Sequence, residues 1–219
     1  MSPRGVAIPD VRERLFAAAE RLLAREGPGA LTSRAITAEA GCSKGLLHAH
    51  FAGGLDEFVA ELCLDRFART ARQAAQLPQR AGQDTVAANL GTVAGTLLDS
   101  AGPVIAGLAL TRPAAADRIR TALQEGAPGF DAMQDAITDY LDAEQRLGRL
   151  ADRTDTGAVA LALVGTVHHL LMTGRAGAPD PRRQAERLVV MLVGTAGNGA
   201  SGHGTAGNGT EGTATGDPA

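Results

Sequence analysis

The sequence predicts an all-α fold, and three observations carry that prediction. Apolar residues recur at helical spacing through segment after segment, glycine and proline stand at the joins, and no stretch shows the alternation of a half-buried strand. With 219 residues and 44% apolar composition, the chain can build one sizeable core or a small domain fused to a larger one. It has no apolar run of about 18 residues, the length that would suggest a membrane span. The opening MSPRGVAIPD lacks the apolar stretch of a secretory signal, so a cytoplasmic protein outside the membrane is expected.

The elements follow in order. Over residues 10–26, Val11, Leu15, Ala18 and Leu22 fall at i, i+4, i+7 and i+11, and Phe16, Ala19 and Leu23 widen the stripe. Asp10 is placed to cap this helix, which leaves residues 1–9 as a flexible arm. Gly27, Pro28 and Gly29 stop it, and Thr32 or Ser33 can cap a short second helix that runs through Ala40 and ends at Gly41. Ser43 can cap a third helix to about Phe51, and Gly53-Gly54 breaks the chain before a longer helix over 55–75. Beyond Pro78, Val86, Leu90, Val93 and Leu97 mark another helix. Pro103 and Pro113 hold the next region to shorter pieces. Further helices are predicted over 114–125, 130–147, 154–173 and 181–195.

The expected organisation is a three-helix N-terminal domain over 10–54, a larger helical domain over 55–195 and a tail over 196–219. In the tail, GTAGNG occurs at 194–199 and again at 204–209. Such a Gly/Thr/Asn tract cannot bury enough apolar surface to offset its ordering entropy, and disorder is expected.

Two short helices joined by a tight, glycine-led turn make the helix-turn-helix pattern, which presents its second helix to the DNA major groove. Ala35, Ile36 and Ala40 can pack inward from the first of these helices, and Leu47 and Phe51, at i and i+4, anchor the second. Lys44, Gly45, Leu46, His48 and His50 are then outward. Ser43, Lys44 and Gly45 bring N–H groups, one cation and little bulk to a phosphate or base edge.

Charge is distributed in the matching sense. The net charge is -3, yet residues 1–51 hold seven basic against five acidic side chains, so the excess negative charge lies in the remainder. Lys44 is the single lysine beside twenty arginines.

The segments RLFAAAERLLAREGPGALT, TSRAITAEAGCSKGLLHAHF and LDEFVAEL, within residues 10–65, together resemble the TetR family of bacterial transcriptional regulators. The resemblance implies that Thr32, Ser33 and Arg34 contact or position DNA backbone, and that Ser43, Lys44, Gly45, Leu46, His48 and His50 lie on or beside the recognition surface. It also implies a homodimer through the last two long helices, a near-palindromic operator on double-stranded DNA, and a repressor released by a small-molecule effector. The chain departs from the family at two places: His48 stands where a tyrosine is usual, and Gly54 where a lysine is frequent.

The C-terminal part is read from pattern. GAVALALVGTVHHLLMT, over 157–173, has no charged residue, so its helix must be buried on more than one side, as core or as core plus a partner surface. Adjacent His168 and His169 point about 100° apart on a helix and are poor partners for one metal. Thr85, Asn89, Thr92 and Thr96 form an uncharged stripe that is either a solvated face or the polar side of an effector cavity. On the second reading Asn89, Thr92, Thr96, Met133, His168 and Met172 are candidate pocket residues.

Two other classes stay open. A helical adaptor that binds protein would fit the negative total charge. An enzyme has less support: the tail's GNGASG, GHGTAG and GNGTEG match G-x-G-x-x-G without a preceding strand, and no G-x-S-x-G elbow or H-E-x-x-H pair is present. Two cysteines without metal-ligand spacing read as free thiols, and no catalytic residue, metal or cofactor is expected.

Overall fold

Ten α-helices and two single 3-10 turns make up the ordered elements of a computed structural model of the chain, which describes residues 10–99, 102–173 and 179–197. No strand occurs among the described residues. The expected arm over 1–9 and the tail from 198 onward lie outside them.

Helix α1 (Val11–Glu26) begins where Asp10 accepts from the Arg12 N–H at 3.3 Å, and it buries Leu15, Phe16, Ala18, Ala19, Leu22 and Leu23, the predicted stripe. A 3-10 turn at Pro28–Ala30 leads to α2 (Ser33–Glu39), whose N-cap is Thr32, its hydroxyl accepting from the Ala35 N–H at 3.1 Å. Next come α3 (Leu46–His50) and the 21-residue α4 (Gly54–Ala74). After a 3-10 turn at Leu77–Arg80 the chain forms α5 (Val86–Asp99), α6 (Gly102–Leu110) and α7 (Pro113–Gln124). It ends with α8 (Phe130–Arg146), α9 (Thr156–Thr173) and α10 (Pro181–Gly197), the last running two residues past the expected stop.

Two apolar clusters organise these helices. The first joins Leu15, Phe16 and Leu22 of α1, Ile36 of α2, Leu47 and Phe51 around α3, and Phe58, Val59 and Leu62 of α4. Ile105 and Ala109 of α6 and Ala115 of α7 complete it. The second cluster gathers the end of α4 with α5, α8, α9 and α10, and Phe67 packs against both. The N-terminal helices are therefore roofed by α6 and α7, and α4 runs from one core into the other.

At the heart of the second cluster lies a buried polar knot. The Asn89 amide donates to the Gln83 carbonyl at 2.7 Å and to the Tyr140 hydroxyl at 3.0 Å. Glu144, fully buried one turn after Tyr140, accepts from the Gly82 N–H at 3.2 Å and lies 3.1 Å from Arg149 Nε. Burial, with Glu144 adding to it, pushes the Tyr140 phenol above its ordinary value, against the pull of the Asn89 bond. Asn89, assigned from its spacing to a polar stripe, is thus a core residue. A half-satisfied buried amide is costly, and this one is paired on both hydrogens.

Candidate nucleic-acid interface

The connection from α2 to α3 shows why the residues sit as they do. Gly41 takes φ +63°, a left-handed conformation that a side chain would strain by about 1–2 kcal/mol. That conformation lets the Gly41 N–H donate to the Ala38 carbonyl at 3.1 Å and the Cys42 N–H to the Thr37 carbonyl at 2.8 Å, closing the helix end. Thr37, 1% exposed, turns its hydroxyl back onto the Ser33 carbonyl at 2.9 Å. The third helix starts later than the sequence suggests. Ser43 does not cap it by its hydroxyl; Ser43, Lys44 and Gly45 wind as a turn in which the Leu46 N–H donates to the Ser43 carbonyl at 3.0 Å.

Leu47 and Phe51 are fully buried and fix the orientation of α3. The Phe51 ring lies 6.0 Å from Phe16 and 5.0 Å, edge-on, from Phe58. From across the cluster, Arg12 covers it at 4.9 Å. With those two positions inward, Ser43, Lys44, Gly45, His48 and His50 are exposed and Leu46 is half-buried, on one continuous turn and helix. Thr32 and Arg34 are also exposed, and Ser33 is half-buried, at the start of α2.

Ion pairing separates the basic residues of this region into two sets. Arg12 pairs with Glu61, Arg21 and Arg25 with Glu39 at 2.8 and 3.0 Å, Arg66 with Glu20 and Asp65, and Arg69 with Glu13 at 2.9 Å. Arg14 donates to the Ala40 carbonyl at 2.9 Å, so α1 is clamped onto the end of α2. Hydrogen bonds from Arg21 and then Arg25 hold the Glu39 carboxyl below its ordinary value. Arg34 and Lys44 have no such partner among the described residues, and both are exposed. Unlike the paired arginines, they leave uncompensated positive charge at the surface that carries α3.

The candidate pocket residues whose side chains are described sit in different surroundings. Thr92 and Thr96 line a hollow of about 210 Å³ with Thr70, Gln76, Arg80 and Leu97. Asn89 and Met133 are core residues, 1% and 2% exposed. His168 is exposed, its ring 5.0 Å from Phe130. The Met172 side chain lies outside the described residues. No helix of the described residues is long and apolar enough to cross a membrane.

Residues 15–60 match the family model described as bacterial regulatory proteins, tetR family. A search of curated proteins returns no match. Among solved structures, a protein from Mesorhizobium loti described as a TetR-family transcriptional regulator is 17% identical, with a TM-score of 0.64 over 84% of this chain and 96% of that one. The fatty acid degradation regulator FadR from Bacillus halodurans is 14% identical, with a TM-score of 0.61 over 87% of this chain and 97% of that one. A TetR-family transcriptional regulator from Streptomyces coelicolor is 23% identical, with a TM-score of 0.51 over 85% and 99%. At these identities the likeness is one of fold. The chain is thus similar over residues 15–60 to the N-terminal domain of bacterial regulatory proteins of the tetR family, and over most of its length it shares a helical fold with TetR-family structures.

Proposed function

We propose that this protein is a homodimeric, cytoplasmic, DNA-binding transcriptional regulator of the repressor type. The observation that carries the reading is the exposed surface of α3 and its preceding turn, flanked by the unpaired cations Arg34 and Lys44, while neighbouring arginines are held in ion pairs. On this reading Thr32, Ser33 and Arg34 position the DNA backbone. Lys44 contacts phosphate, and Ser43, Gly45, Leu46, His48 and His50 lie at the groove, with residues 10–54 as the DNA-binding domain and 55–195 as the regulatory and dimerisation domain. Phosphate contacts fix register, and base-edge contacts such as Leu46 to a thymine methyl carry preference.

Dimerisation through α9 and α10 is supported by their exposed apolar side chains: Leu161 is 59%, Val190 62% and Met191 55% exposed. Gly165 and Gly194 are exposed on the same two helices with open space above them, which permits close helix approach. Two copies would then present two α3 helices to the half-sites of a near-palindromic operator. A small-molecule effector would act by binding one arrangement of the pair better than another. The hollow lined by Thr92 and Thr96 is one described place where such a ligand would fit.

Titration of a labelled DNA duplex at several salt concentrations tests the central claim. Lys44→Ala is expected to weaken binding to all sequences and to lower the salt slope by about 0.9 per contacting subunit. Leu46→Ala is expected to alter base preference and leave the slope intact. A wild-type affinity that does not fall with salt overturns the DNA reading and favours the protein-binding adaptor.

A further inference from the structure

Arg118, on α7, stands apart from its neighbours. Arg112 pairs with Asp56 and Arg120 with Asp117, whereas Arg118 is exposed and has no ion pair or hydrogen-bonding partner among the described residues. Its guanidinium lies against the Gly53-Gly54 turn that joins α3 to α4. A Cβ on Gly53 would stand 2.8 Å from Arg118 Nη2, and a Cβ on Gly54 would stand 3.6 Å from His48 Cε1. Bare backbone therefore sits between a cation of α7 and a side chain of α3. Gly54 has φ +68°, which explains the glycine. It also leaves the start of α4 without a cation of its own. Two carboxylates face the same place. Asp56 is neutralised by Arg112, and Glu57 accepts from the Gly53 N–H, with its Oε2 also 2.8 Å from the Gly53 Cβ position.

We propose that Arg118, although carried by the C-terminal helices, is a phosphate-contacting residue of the DNA-facing surface, supplying at the 53–54 turn the cation that Gly54 cannot. The proposal rests on the DNA-binding reading above. An exposed guanidinium without a carboxylate partner is free to fork onto a phosphate, and here it also offsets Glu57. Its position is set by how α7 docks on α4, which the Arg112–Asp56 pair and the buried Ala115 fix. The C-terminal domain would thus hold part of the DNA contact directly, so a shift of α7 would change affinity without moving α3.

The test uses the full chain and a labelled mixed-sequence duplex several helical turns long, because phosphate contact does not require the operator. Arg118→Ala is expected to lower the salt slope by about 0.9 per contacting subunit, so a fourfold rise in salt costs the wild type about 3.5-fold more affinity per contact than the variant. Arg118→Lys should keep most of the slope, and Arg120→Ala all of it. A slope unchanged in Arg118→Ala while Lys44→Ala lowers it overturns the proposal. So does a lowered melting temperature with an unchanged slope, the signature of a residue that serves only Glu57. Absence of salt-dependent binding by the wild type removes the DNA reading itself, and this inference with it.

Discussion

Phe51→Ala tests whether the two apolar clusters, bridged by α4 and Phe67, unfold as one cooperative unit. The Phe51 ring is fully buried, packed against Phe16 and Phe58 at 6.0 and 5.0 Å and covered by Arg12 at 4.9 Å. Truncating a buried phenylalanine costs about 3–5 kcal/mol, and two aromatic neighbours worth about 0.5–1.5 kcal/mol each beyond burial place this site in the upper part of that range. A loss of about 4–5 kcal/mol lowers the melting temperature of a chain this size by about 8–20 °C. Because Ile105, Ala109 and Ala115 belong to the same cluster as Phe51, the damage should spread beyond α1 to α3. The chain supplies its own probe: it has one tyrosine and no tryptophan, and Tyr140 lies in the second cluster. Far-UV circular dichroism and Tyr140 fluorescence, followed in denaturant at fixed protomer concentration, should give coincident midpoints that shift together. A Tyr140 midpoint unmoved by Phe51→Ala would refute the coupling of the two clusters. A loss under about 1 kcal/mol would refute the packing assigned to Phe51.

Two further predictions concern buried groups. Tyr140→Phe deletes the hydroxyl that accepts from Asn89 at 3.0 Å and leaves one amide hydrogen unsatisfied in the core; about 1–3 kcal/mol of stability should be lost, read by the shift in denaturation midpoint at constant slope. Burial pushes the Cys63 thiol up to about 12, so at pH 8 it remains protonated and unreactive in the folded protein. A thiol reagent should then label one cysteine natively, half-buried Cys42, and two in denaturant. Equal native labelling of both would contradict the burial of Cys63.

Periodicity and capping chemistry determined much of this protein without reference to tertiary contacts. The stripe from Leu15 to Leu23, the Asp10 cap, a second cap at Thr32 or Ser33, the Gly41 turn and the inward pair Leu47 and Phe51 were all legible, because each depends on residues within a turn or two of one another. The all-α class followed from the same local signals, and the resemblance over 10–65 pointed to the family whose model matches residues 15–60. Contacts between distant segments were not legible. Nothing local separates Asn89 from Thr92 and Thr96, yet Tyr140, 51 residues away, draws Asn89 into the core while the two threonines line a surface hollow. Ser43 could have capped α3; its carbonyl closes the turn instead. The pairing that neutralises Arg66 through Glu20 and leaves Arg34 and Lys44 free also waits on the fold, since spacing along the chain does not reveal which carboxylate a long arginine reaches. Arg118 makes the point most fully. In sequence it is one arginine on a helix of the larger domain, and only the docking of α7 on α4 brings its guanidinium to the Gly53-Gly54 turn. The sequence sets which residues a helix can bury or expose. Tertiary packing decides which exposed charges remain unpaired, because that depends on distances across elements the chain does not place side by side.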